Sequence, residues 1–237
     1  MNSTVEQLLE LRQVLLRCFV SVALIFAVLL FYAKQLYTTL AQPLLKFLPE
    51  NSQMIAIDVA TPFLVPMKLA LTLAIFMAIP FVLYQLWKFI APGLYKHEKK
   101  FFMPLFFGSL SLFYGGILFA YFVVLPLTFS FFIYSAPEGV LVMTDIASYL
   151  NFVLKMFFAF GLAFQIPVLI LVLTKLNIIT PEKLSAQRPY VIIGAFVVGM
   201  LLTPPDVISQ TLLAVPLCLL FELGLFLAKQ KKSNLVS

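Results

Sequence analysis

Residues Phe101–Thr128 read FFMPLFFGSLSLFYGGILFAYFVVLPLT, twenty-eight positions without a charged side chain. A hydrocarbon core about 30 Å thick needs roughly 20 apolar residues of helix to cross it, so this run is long enough for a membrane span. Its surroundings say the same. Of the 237 residues 62% are apolar and 11% charged, against about 45–50% and about 25% in soluble domains, and the mean hydropathy is +1.05. A water-soluble globule needs a charged exterior. The composition excludes one, and the chain reads as an integral membrane protein.

On either side of that run lie further candidates, for six spans in all: about 18–37, 68–88, 101–128, 149–173, 190–202 and 207–228. The expected fold is therefore all-α, a polytopic membrane protein whose residues 1–237 form a single six-span domain. The fifth span has thirteen residues, about 20 Å of helix, so it thins the bilayer locally or is shielded by its neighbours. Thr203-Pro204-Pro205-Asp206 supplies the turn between the two short final spans, because two prolines cannot continue a helix. Prolines at Pro80, Pro104, Pro126, Pro167 and Pro216 bend their helices, which predicts a curved bundle. Short helices are expected in the loops at about 40–66 and 128–148. The first run is too long for the apolar region of a cleavable leader and reads as a span.

Sidedness follows from lysine and arginine. Arg12, Arg17, Lys88, Lys96, Lys99, Lys100, Lys175, Lys183, Arg188, Lys229, Lys231 and Lys232 fall on one side of the six-span plan, whereas the opposite loops hold Lys34 and Lys46. The positive-inside rule then puts both termini in the cytoplasm. The net charge of +6 is accounted for by topology and anionic lipid, so no nucleic-acid partner is implied.

The motifs of enzyme chemistry are missing. No glycine lies in a phosphate-cradling G-x-x-x-x-G-K-[ST] loop, and there is no G-x-S-x-G elbow and no H-E-x-x-H helix. His97 is the single histidine, and Cys18 and Cys218 stand alone, which gives no ligand set for zinc or haem. No cofactor and no enzymatic activity are expected. Secondary transport of a small solute or ion stays open as an alternative, since Lys155, Gln165 and Glu222 are polar groups within spans and such groups often mark a transport path.

Two acids stand in basic cytoplasmic segments, Glu10 in Leu9-Glu10-Leu11-Arg12 and Glu98 in Leu94-Tyr95-Lys96-His97-Glu98-Lys99-Lys100. Each can pair with a neighbouring cation at a solvated helix end, worth about 0 to 1 kcal/mol. Spacing alone favours that local pairing; a Glu at the headgroup boundary can also accept a partner's guanidinium in a bidentate bond, worth about 1.5 to 3 kcal/mol.

At these residues, and along nearly the whole chain, the sequence resembles the TatC family, the multispanning core and signal receptor of the twin-arginine protein translocase. The likeness rests on Glu10-Leu11-Arg12, on Pro43, and on Phe89-Ile90-Ala91-Pro92-Gly93-Leu94-Tyr95-Lys96-His97-Glu98-Lys99. It continues through Phe119-Ala120-Tyr121-Phe122 with Pro126, Gly194-Ala195-Phe196, Thr203-Pro204-Pro205-Asp206 and Gln210. The resemblance implies a receptor for Arg-Arg signal peptides of folded cargo in the bacterial cytoplasmic (inner) membrane. It also implies an oligomeric complex with single-span partners of the TatA and TatB type, driven by the protonmotive force. Glu10, Arg12, Phe89 and Glu98 would form the signal site, and Thr203 and Gln210 would contact a partner helix, although capping and turn chemistry explain those two residues as well. Glu222 would sit in the interior. Many relatives carry His at Gln7, basic residues at Gln13 and Val14, and Glu at Gln165. A glutamine there cannot ionise, so no charge or proton is available at that position.

Overall fold

The computed structural model describes residues 3–45, 54–90, 102–135, 144–176, 178–203 and 207–236. Among these the chain is helical, with one isolated parallel bridge between Ile55 and Asp145. Five helical stretches are long and apolar enough to cross a membrane: Leu11–Leu30, Thr61–Gln85, Met103–Tyr134, Ile146–Lys175 and Val207–Gln230. The shorter apolar helix Arg188–Leu202 is the sixth member of the expected plan. Backbone groups find no water inside lipid, and helices satisfy them internally.

By its contacts the chain divides into two compact units, residues 1–110 with 143–154, and residues 111–142 with 155–237. In the first unit, α1 (Ser3–Leu30) and α2 (Ala33–Leu45) both pack on α3 (Thr61–Ile90). Ala70, Ala74 and Ala78 recur every fourth residue along α3 and are almost wholly buried, a stripe of small side chains that lets a neighbouring backbone come close. The first span ends earlier than the sequence suggested. α1 stops at Leu30 and Tyr37 belongs to α2, because the Phe31 and Tyr32 amides bond three residues back, to Val28 and Leu29 at 3.3 and 3.0 Å, tightening the last turn.

Of the short helices expected in the two longer loops, α2 is one. Residues 54–60 contain none and are tied instead to the start of α6 (Ile146–Ala163). The Ile55 amide donates to the Thr144 carbonyl at 3.0 Å and the Ile146 amide to the Ile55 carbonyl at 2.9 Å. Asp145 caps α6, its Oδ2 accepting from both the amide and the hydroxyl of Ser148 at 2.9 Å. Those bonds, the amide first, hold its carboxyl below the ordinary carboxylate range. The Tyr149 hydroxyl donates to the Leu40 carbonyl at 3.0 Å, fastening α6 to α2.

The third span outruns its expected end at Thr128. It passes from α4 (Phe102–Phe119) through a π-turn, Ala120–Val124, into α5 (Leu125–Tyr134). The Leu125 amide reaches back to Ala120, and the wider turn accommodates Pro126, which has no amide to give. Thr128 Oγ1 donates to the Val124 carbonyl at 2.8 Å.

In the second unit Phe119 packs against Phe160 and Phe164, with ring centroids 5.6 Å apart in both pairs. The fourth span breaks at Phe164–Gln165 and resumes as α7 (Ile166–Lys175), with Pro167 in its first turn, where a missing amide costs nothing. After α8 (Pro181–Ala186), α9 (Arg188–Leu202) and α10 (Val207–Val236) form a hairpin. Its apolar contacts include the clusters Ala163–Ala195–Ala214–Leu217 and Ile170–Phe221–Leu225–Ala228. At fifteen residues α9 is about 22 Å long.

Candidate functional sites

Glu10 and Arg12 lie on α1 where its apolar stretch begins at Leu11. Arg12 is exposed. With Leu11, Leu15, Leu16 and Phe19 it lines an open groove of about 410 Å³. The spacing of Leu11, Leu15 and Phe19 by fours puts them on one helix face. Phe89 is the penultimate residue of α3, and Lys88 lies in the same last turn. Glu98 lies outside the described residues.

The second predicted group gathers at the α9–α10 turn. Thr203 is 5% exposed, and its amide and hydroxyl both bond the Gly199 carbonyl, at 2.9 and 3.0 Å. Its hydroxyl is therefore engaged at the end of α9. Gln210, half-buried on α10, approaches α9 closely: a β-carbon on Gly199 would lie 3.4 Å from the Gln210 carbonyl oxygen.

Gln165 and Glu222 part company. Gln165 is half-buried in the turn between α6 and α7, where its carbonyl accepts from the Leu169 amide at 2.9 Å. Glu222 lies within the apolar stretch of α10. Its side chain is 46% exposed and is held by Arg188, whose Nε donates to Oε1 at 2.6 Å and Nη2 to Oε2 at 2.8 Å. In the sequence Arg188 reads only as a topological charge; its partner lies thirty-four residues away on another helix, a pairing with no signature in local spacing. A second cross-helix contact also escaped the sequence. Lys68 on α3 donates to the Asn151 side-chain oxygen on α6, both inside apolar spans.

With this geometry in view, the likenesses to known proteins are specific. The family model for the Sec-independent protein translocase protein (TatC) matches residues 6–216. The chain belongs to the TatC family. It is 52% identical over 225 residues to TatC of Haemophilus influenzae, covering 95% of this chain and 88% of that one. To TatC of Escherichia coli K12 it is 53% identical over 225 residues, covering 95% and 87%. A crystal structure of the twin-arginine translocase receptor TatC superposes with a TM-score of 0.85 at 40% identity, covering 94% of this chain and 98% of that one. TatC proteins are translocase components rather than enzymes, and the five long apolar helices agree with a multi-pass membrane protein.

Proposed function

We propose that this TatC chain is the receptor and core subunit of a twin-arginine translocase in the bacterial cytoplasmic membrane, with both termini in the cytoplasm. It binds the Arg-Arg motif of signal peptides on folded cargo and recruits single-span partners of the TatA and TatB type for export driven by the protonmotive force. The observation that carries this reading is the meeting of charge and apolar surface at the mouth of α1. Glu10 and Arg12 flank Leu11, and the exposed groove of Leu11, Leu15, Leu16 and Phe19 begins there. A signal peptide presents the complementary pair, arginines at headgroup level and an apolar stretch that buries beside the receptor.

Two carboxylates, Glu10 and Glu98, receive the two guanidinium groups in charge-assisted bonds. Arg12 and Phe89 shape the site. Gln210, with Thr203 beside it, offers a polar contact to a partner's helix at the far end of the short spans. The alternative of a secondary transporter loses its best carboxylate, because Glu222 is occupied by Arg188. Photocrosslinking from positions 98 and 210, with and without an Arg-Arg signal peptide, tests both contacts. Signal adducts at 98 and partner adducts at 210 are expected, and failure to find either removes that part of the reading.

A further inference from the structure

The hairpin of α9 and α10 is fastened at two levels. Near its turn, Gly199 leaves room for the Gln210 main chain, at 3.4 and 3.5 Å from a β-carbon built on the glycine. Toward the other end Arg188, the first residue of α9, grips Glu222, sixteen residues into α10. Between them lie Ala195, Ala214 and Leu217. Small and aliphatic faces of this kind carry no direction, and one helix can be displaced along another with similar burial. The bidentate pair does carry direction. Displacing α9 by one turn, about 5.4 Å, breaks both of its bonds and removes Gly199 from Gln210.

We propose that Arg188 and Glu222 form a latch that fixes the axial register of α9 on α10. They are positioning residues: they hold Thr203 and Gln210 at the level where a partner's helix meets them. The consequence for partners rests on the function proposed above, whereas the register itself does not. A lysine at 188 would keep the positive charge that sets sidedness but lose the two parallel bonds, and this separates the latch from a purely topological role.

The test uses the full chain in membranes with Cys18 and Cys218 replaced by alanine. Gly199→Cys with Gln210→Cys serves as the reporter, since a β-carbon at 199 lies 3.7 Å from that of Gln210, within the range a disulfide bridges. The parent pair is expected to oxidise rapidly. Arg188→Lys and Glu222→Gln should each slow oxidation by roughly tenfold, and the exchange Arg188→Glu with Glu222→Arg should restore most of the rate, as coupled charge pairs do. Rates are compared on equal amounts of membrane-extracted chain, so that poor accumulation is not read as lost register.

Unchanged oxidation in both single variants, an exchange no better than either, or a parent pair that does not oxidise would each overturn the latch. Partner crosslinking from Gln210, measured in the same latch variants without the cysteines, should fall while signal crosslinking from position 98 persists. If the unaltered chain gives no partner adduct at 210, the partner reading fails and the oxidation result still decides the latch.

Discussion

Gly116 lies against the main chain of Phe160: a β-carbon there would fall 2.5 Å from the Phe160 carbonyl oxygen and 2.9 Å from its carbonyl carbon. No side chain fits at that distance, so α4 and α6 must separate to admit one. The neighbouring Gly115 has nothing within 4 Å of the same position. Gly116→Ala is expected to destabilise the chain by about 1 to 3 kcal/mol through overpacking. Gly115→Ala should be neutral or stabilising by up to about 1 kcal/mol, because alanine is the better helix former. Thermal unfolding of the two variants in detergent measures the contrast.

Asp145 predicts a pH dependence with a definite sign. Its carboxyl sits below the ordinary range because the Ser148 amide and hydroxyl donate to it. The ionised cap therefore contributes fully above the unfolded value, near about 4. Its contribution is lost as the pH falls through the lowered folded value. Stability from this residue should be flat between about pH 5 and 8 and decline in acid. Asp145→Ala should cost about 1 kcal/mol at neutral pH, as other caps do, and flatten the acid decline. Melting curves at neutral and acid pH, compared with Asp145→Asn, which keeps an acceptor, check both parts.

Lys68 and Asn151 tie α3 to α6 within their spans. A hydrogen bond to a charged group contributes about 1.5 to 3 kcal/mol when shielded, and the exposure of Lys68 lowers that to about 1 kcal/mol. Lys68→Met and Asn151→Leu should each destabilise, and the double variant by less than their sum. A double-mutant cycle on unfolding in detergent reads the coupling, and strict additivity would show that the bond contributes nothing.

What the sequence discloses here follows from what leaves a local mark. Spans betray themselves because lipid demands an uninterrupted apolar run, so Phe101–Thr128 could be recognised from its letters. The short final pair was legible for the same reason, with Pro204 and Pro205 to separate them. The break after Leu30 was not, because Leu29, Leu30, Phe31 and Tyr32 run on without a glycine or proline and the tightening is a matter of hydrogen bonding alone. The π-turn at Ala120–Val124 adds one residue to a turn without changing composition. Lys68 with Asn151, and Arg188 with Glu222, are pairings between helices distant in sequence. Within the candidate signal site, charge and motif pointed to Glu10, Phe89 and Glu98, whereas the apolar groove beside Arg12 emerged only when α1 was seen to keep Leu11, Leu15, Leu16 and Phe19 exposed.

The central claim is that two cytoplasmic carboxylates receive a signal's paired arginines, and it is tested most directly by crosslinking an Arg-Arg signal peptide to membranes carrying Glu10→Ala, Glu98→Ala, or the unaltered chain. Loss of one charge-assisted contact of about 1.5 to 3 kcal/mol predicts roughly tenfold or greater weakening in each variant. Membrane insertion should be unchanged. Signal crosslinking at the unaltered level in both variants would contradict the account.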